Sequence, residues 1–184
     1  IVMKCACGDV KSTSVIPRIK SVKLSAETFT YNNKAKMPKV TVYDKNSRKV
    51  SNVYYSVTEP SGRKKIGTYK VTVKFKGNYS GTVTKKFKIV PEGAKLTKVS
   101  AVKKGFTAKW KKKNGVSGYE LQYSTSKKFA KARIKKVNKP KAASQKITKL
   151  KAKKKYYVRI RTYKMVGKEK YVSSWSKPKT VRTK

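Results

Sequence analysis

From Ile19 onward the chain is a succession of short runs in which every second residue is apolar. Val22 and Leu24 share one side of the first run, and Phe29 with Tyr31, then Val40 with Val42, then Val53, Tyr55 and Val57 follow the same rule. Turn residues separate them, at Asp44–Ser47 and at Pro60–Gly62. The clearest run sets Tyr69, Val71, Val73 and Phe75 against Lys70, Thr72, Lys74 and Lys76. After Gly77-Asn-Tyr-Ser-Gly81 the chain resumes with Val83, Phe87 and Ile89 on one face, which predicts a hairpin closed by a glycine-bounded loop. In the second half Phe106, Ala108 and Trp110 alternate with Thr107, Lys109 and Lys111. Tyr119, Leu121 and Tyr123 follow, then Ile147 and Leu150, then Tyr156, Val158, Ile160 and Thr162. Period two over short runs predicts half-buried strands, and many such strands between turns predict β-sandwiches. Phe106, Trp110, Tyr119, Leu121, Leu150, Tyr156, Val158 and Ile160 are the predicted core of the second half.

Composition agrees with an all-β, folded chain. There are 21 Val and 16 Thr against four Leu, with 12 Tyr, and β-branched and aromatic residues suit a pleated, half-buried surface. Leu, Ile, Val and Phe make up 38 of 184 residues, just above the level of about 20% below which highly charged chains stay unfolded. The charge is extreme: 51 Lys and Arg face seven Asp and Glu, with no His, a formal net charge of +44. The seven acids are Asp9, Glu27, Asp44, Glu59, Glu92, Glu120 and Glu169, far apart in sequence. General acid–base chemistry near neutral pH draws on His or on tuned carboxylate pairs, so the raw material for catalysis is thin. A field of this strength attracts polyanions and affects association rates and solubility. There is no P-loop, GxSxG or dinucleotide fingerprint.

Residues 1–18 are rich in Ser, Thr and Lys and read as a poorly ordered lead or the tail of an upstream module. Cys5 and Cys7 supply two thiols where a structural zinc site needs four ligands, so no metal site and no cofactor are expected. Pro91, Glu92 and Gly93 read as a linker between residues 19–90 and residues 94–184. The second of these carries 31 basic and two acidic residues. No apolar run approaches the roughly 20 residues of a membrane helix. The chain reads as a monomeric fragment of a longer protein, whose targeting or anchoring signals lie outside it.

Trp110, Gly118-Tyr-Glu-Leu-Gln-Tyr123, Leu150 followed six residues later by Tyr156, Val158 with Ile160, and Ser173-Ser-Trp-Ser176 together resemble a fibronectin type III domain over 94–184. Gly67–Val73 and Gly77–Gly81 resemble the Gly-Thr-Tyr-x-Val-Thr-Val and Gly-Asn-Tyr-Ser-Gly motifs of bacterial immunoglobulin-like repeats, over 19–90. The tandem resembles C-terminal modules of secreted or surface proteins of gut-dwelling Gram-positive bacteria. Cys5-Ala-Cys-Gly, with Ile16 and Pro17, resembles the end of a Cys-rich repeat that precedes such modules. The resemblance implies two tandem immunoglobulin-like/fibronectin type III β-sandwiches, an extracellular location, a spacing or adhesive role, and no catalytic residues to carry over.

If Tyr156, Val158 and Ile160 face inward, Tyr157, Arg159, Arg161 and Tyr163 face outward. The fibronectin type III resemblance implies that the last strand pairs with this one, which would bring Trp175, just before or within that strand, close to the two arginines. An Arg–Trp ladder of this kind would resemble that of cytokine-receptor modules, with one Trp-Ser in place of two. It reads either as a stabilising stack or as a platform for sugars or anions. Lysine clusters at Lys103–Lys104, Lys111–Lys113, Lys127–Lys128, Lys135–Lys136 and Lys153–Lys155 fall mostly at strand ends and in loops. They read as a solvated surface that resists edge-to-edge aggregation, or as a means of retention on polyanions. The candidate binding set is therefore Lys153, Lys154, Lys155, Tyr157, Arg159, Arg161 and Trp175. Its expected partners are anionic polymers, teichoic acid or acidic glycans, held electrostatically. Specific nucleic-acid recognition is not expected, since no nucleic-acid-binding motif is legible. The role implied is a non-catalytic module retained on cell-wall or glycan polymers; an accessory, substrate-holding region of a secreted hydrolase and a host-directed adhesin are the alternatives. Asn78-Tyr-Ser80 fits a glycosylation sequon but sits where a turn wants those residues anyway. Gly167 marks the loop before the last strand, and Met165 with Val166 is expected to cap the core.

Overall fold

The computed structural model describes residues 18–184 and the backbone of two short strands before them, β1 (Val2–Lys4) and β2 (Val10–Thr13). These two pair antiparallel, where the composition of the lead predicted little order. The expectations for Cys5 and Cys7 fall outside the described residues. The rest of the chain forms two compact units that divide between Lys88 and Ile89, the second also taking in Thr30–Lys34 and Lys64–Gly67.

The first unit contains β3 (Ile19–Leu24), β4 (Thr28–Thr30), β5 (Val40–Asp44), β6 (Tyr55–Thr58), β7 (Gly67–Phe75) and most of β8 (Thr82–Val90). One sheet pairs β3 with β5, Val22 opposite Val42; the other runs β4-β8-β7-β6. Val22, Val42, Val50, Val73 and Phe75 form the core. Phe29 and Tyr69 pack on Phe87, with centroids 5.6 and 5.4 Å away. Asp44 is buried, yet its carboxylate accepts the backbone N–H of Asn46 and of Arg48, both at 2.9 Å, so the turn predicted there is closed by its own acid. Val53 departs from the alternation predicted for it. It lies in a 3-10 turn, Asn52–Tyr54, and is 62% exposed, because the strand begins only at Tyr55 and Val50 fills the core position instead.

The second unit adds β9 (Leu96–Val102), β10 (Gly105–Trp110), β11 (Gly118–Ser124), β12 (Arg133–Val137), β13 (Ser144–Ile147), β14 (Lys155–Val166), β15 (Glu169–Val172) and β16 (Lys179–Arg182). One sheet is β13-β10-β9; the other is β12-β11-β14, with β15 and β16 both on the far edge of β14. All eight predicted core residues, from Phe106 to Ile160, lie in a single buried cluster between these sheets. Tyr119 is fully buried, and its hydroxyl accepts the Lys113 N–H at 2.9 Å and donates to the Pro140 carbonyl at 3.1 Å, tying two loops together. Met165 and Val166 do not cap the core. They are 40% and 41% exposed at the end of the β14–β15 hairpin, whose turn begins at Gly167 with φ of 57°. A two-residue turn with glycine first carries the chain past the core rather than over it.

Trp110 is 3% exposed, its ring 5.1 Å from that of Tyr119, and its indole N–H has no partner. Trp110→Ala should cost about 3–5 kcal/mol in urea melts, from lost burial and the cavity left behind. A cost below about 1 kcal/mol would contradict the core described here.

Candidate functional site

The strand alternation that buries Tyr156, Val158 and Ile160 puts the other side of β14 on the outer face of its sheet. In register, Arg161 lies opposite Glu120, Arg159 opposite Gln122 and Tyr157 opposite Ser124. Beyond Val172 the regular pairing with β14 lapses until Lys179, although the Ser173 N–H still donates to the Thr162 carbonyl at 3.1 Å and the Ser176 N–H to the Ile160 carbonyl at 2.8 Å. Two serine hydroxyls fill the gap: Ser173 accepts the Thr162 N–H and Ser176 the Ile160 N–H, each at 3.1 Å. This detour carries Trp175 over the face. The Arg161 guanidinium stands 4.2 Å from the Trp175 ring centre and that of Arg159 5.0 Å. The predicted Arg–Trp stack is present.

Arg159 also lies 4.0 Å from the ring of Phe129 and donates to Gln122 Oε1 at 2.6 Å. Arg161 donates to Glu120 Oε2 at 2.7 Å, and Lys170 pairs with the other oxygen of the same carboxylate. Lys170 and Lys136 stand 5.2 and 5.1 Å from the ring of Tyr163, whose hydroxyl donates to Asn138 Oδ1 at 2.7 Å. Tyr163 faces outward as predicted but is buried by these neighbours. Room for it comes from Gly118, where a Cβ would meet Tyr163 Oη at 2.7 Å and the Val137 carbonyl at 2.2 Å. The cations are thus largely committed to partners within the sheet.

The remaining candidates lie apart. Lys155 opens β14 and stands 5.4 Å from the ring of Tyr157, while Lys153 and Lys154 precede the strand. Arg161 lies six positions beyond Lys155, roughly 20 Å along a strand. The proposed set is therefore two places, a stack around Trp175 and a basic strand start. Glu120, Gln122 and Lys170 were not singled out in the sequence, although the alternation of Glu120 and Gln122 with the inward Tyr119, Leu121 and Tyr123 was a signal that could have placed the first two on the arginines' face. Phe129 carries no such signal: it sits in a loop, with φ of 58°, and no periodicity locates it.

Burial alone would raise the Glu120 pKa, but its hydrogen bonds and charge contacts with Lys170 and Arg161 outweigh that and hold it below the usual carboxylate range. Burial, followed by the neighbouring Arg161, lowers that of Arg159. Among the described residues no three His, Cys, Asp or Glu cluster as metal ligands. No helix there is long and apolar enough to cross a membrane.

The family model for the fibronectin type III domain matches residues 90–179. No curated protein matches the chain. A structure described as a myokine is similar over 50% of this chain and 94% of its own, at 19% identity and a TM-score of 0.40. Domains A168–A170 of titin are similar over 90% of this chain and 68% of their own, at 16% identity and a TM-score of 0.38.

Two measurements follow from the stack. A carboxylate with a depressed folded pKa contributes stability above its unfolded value of about 4.3, and that stability is lost as pH falls through the folded pKa. Urea midpoints of the wild type should therefore drop below about pH 4, and Glu120→Gln should be less stable at neutral pH but flatter across the acid range. Identical pH profiles would remove Glu120 from the account. Trp175→Ala, which changes no charge, should cost roughly 1–3 kcal/mol through its two guanidinium contacts and lost burial. Unchanged stability would mean that the stack is incidental.

Proposed function

We propose that this chain is a non-catalytic, extracellular spacer and adhesion region of a bacterial surface or secreted protein, held on anionic cell-wall or glycan polymers by its basic surface. The observation that carries this reading is the fate of the carboxylates in residues 94–184. There are two, Glu120 and Glu169; the first is taken by Arg161 and Lys170, the second accepts the hydroxyl of Tyr171. Against 31 basic residues this leaves the exterior of residues 94–184 almost wholly uncompensated, with Glu92 just before them paired to Lys113 alone. A rigid sandwich with such a surface suits attachment by charge, and the committed arginines around Trp175 suit support of the sheet better than capture of a ligand.

A second reading is an accessory, carbohydrate-binding region of a secreted hydrolase. Its support is that Trp175 and Tyr157 remain only partly buried on the outer face, where aromatic rings can pack on sugars. On this reading Trp175→Ala reduces binding to a neutral glycan while the domain stays folded. On the first reading it leaves polyanion affinity little changed.

Affinity of the whole chain for wall teichoic acid, heparin and DNA should be measured from low to physiological salt. Affinity should fall steeply with salt and differ little between polymers, because binding releases condensed counterions and the Debye length shrinks to about 8 Å. A flat salt dependence, or strong preference for one neutral glycan, would contradict electrostatic retention.

A further inference from the structure

The carboxylates of the second unit stand away from one end of it. Glu92 pairs with Lys113, after β10; Glu120 lies opposite Arg161; Glu169 lies opposite Val166, at the far end of β14. At about 3.3 Å per residue Glu120 is roughly 20 Å and Glu169 roughly 36 Å from the start of that strand at Lys155. Four segments meet at that start: the Lys103–Lys104 turn, the loop 125–132, the loop 148–154 and the last residues of the chain. Backbone hydrogen bonds fix three of them together, Lys104 N–H to Lys184 O at 2.7 Å, Leu150 N–H to Lys104 O at 2.9 Å and Lys153 N–H to Thr183 O at 3.0 Å. The fourth is closed on its own strand by Ser124 Oγ, which donates to the Ala130 carbonyl at 2.7 Å, and it meets the loop 148–154 across a shared cavity. None of these segments contains an Asp or Glu.

A cavity of about 580 Å³ opens here, lined by Lys131, Arg133, Lys149 and Lys151 with Tyr123 and Tyr156. Among the described residues none of the four cations is in an ion pair. Two of them, Lys131 with φ of 47° and Lys149 with φ of 59°, hold left-handed backbone, which glycine or asparagine adopts far more readily. Lys104 and Lys153 at the same end share this conformation without lining the cavity, so what marks the cavity is its cluster of four cations with no ion-pair partner among the described residues. One guanidinium fork and three ammonium groups suit a tetrahedral oxyanion. Both tyrosines are already engaged with Phe106, at 5.7 and 6.5 Å, and with each other at 6.5 Å. With Tyr156 buried and Tyr123 half-buried, neither leaves a fully open ring face for a nucleobase.

We propose that this cavity binds a phosphate of a polyol-phosphate or sugar-phosphate polymer, the phosphate among Lys131, Arg133, Lys149 and Lys151 and the carbon skeleton against Tyr123 and Tyr156. The site rests on the reading that the chain is retained on anionic polymers, and it localises that retention away from Trp175. The test uses the whole chain and poly(glycerol phosphate) at physiological salt, with heparin and duplex DNA as parallel probes. The variant Lys131→Gln, Arg133→Gln, Lys149→Gln, Lys151→Gln is compared with a control of equal charge change, Lys111→Gln, Lys112→Gln, Lys139→Gln, Lys141→Gln. The pocket variant should lose roughly tenfold or more in affinity, and the control less than about threefold. Lys149→Gly serves if the fourfold variant fails to fold: it relieves the left-handed backbone, so it should melt no lower than wild type and still bind more weakly. Equal losses in the two fourfold variants would overturn the pocket and leave general electrostatic retention standing. A wild type that binds none of the polymers would overturn both. A selective loss seen with heparin or DNA but not with poly(glycerol phosphate) would overturn the assignment of the polymer.

Discussion

Like-charge repulsion is the constraint under which the rest of this structure is built. A net charge of +44 on 184 residues destabilises any compact state, and seven carboxylates cannot neutralise it. The fold's answer is the strict two-residue period of its strands, which sends apolar side chains to one face and lysines to the other. In β7 this puts Val71, Val73 and Phe75 in the core while Lys70 and Lys74 stay in water. In β14 it buries Val158, Ile160 and Thr162 while Arg159 and Arg161 emerge between them. Separation of charges by geometry does the work that pairing would do in a neutral protein.

Where cations are forced together on one sheet, other devices take over. Arg159 and Arg161 are next-but-one neighbours on a strand, and Trp175 offers both a ring. Glu120 sits between Arg161 and Lys170 and is the one acid of the second unit buried in this way. The detour of the last strand, held by Ser173 and Ser176, is what makes Trp175 available for that purpose. At the edge of the same sheet Lys135 and Lys136 lie within β12 rather than in a loop, and discourage a further strand from pairing there. Ile134, 51% exposed beside them, shows why that protection matters.

The sandwich architecture was legible because period-two alternation is a short-range property of the sequence. Phe106 to Trp110, Tyr119 to Tyr123 and Tyr156 to Thr162 read correctly as strands with their inward faces assigned. Val53 misled because alternation does not mark where a strand begins, and Met165 and Val166 because apolar character alone does not show that a hairpin has run past the core. The Arg–Trp stack was legible once the inward face of β14 was fixed and the fibronectin type III resemblance set the last strand beside it. Phe129 and the cavity around Lys149 were not, since both depend on loops with left-handed backbone brought together by the fold, a matter of tertiary structure that no pattern along the chain encodes.

If repulsion among uncompensated cations limits stability, screening should relieve it more than it weakens the few ion pairs. Urea melts of the whole chain between about 0.02 and about 0.5 M potassium chloride, where the Debye length falls from roughly 20 Å to a few Å, test this directly. The account predicts that the unfolding midpoint rises steadily with salt. A midpoint that fell with salt would mean that pairs such as Glu120 with Arg161 and Lys170 outweigh the repulsion, and would contradict the account at its base.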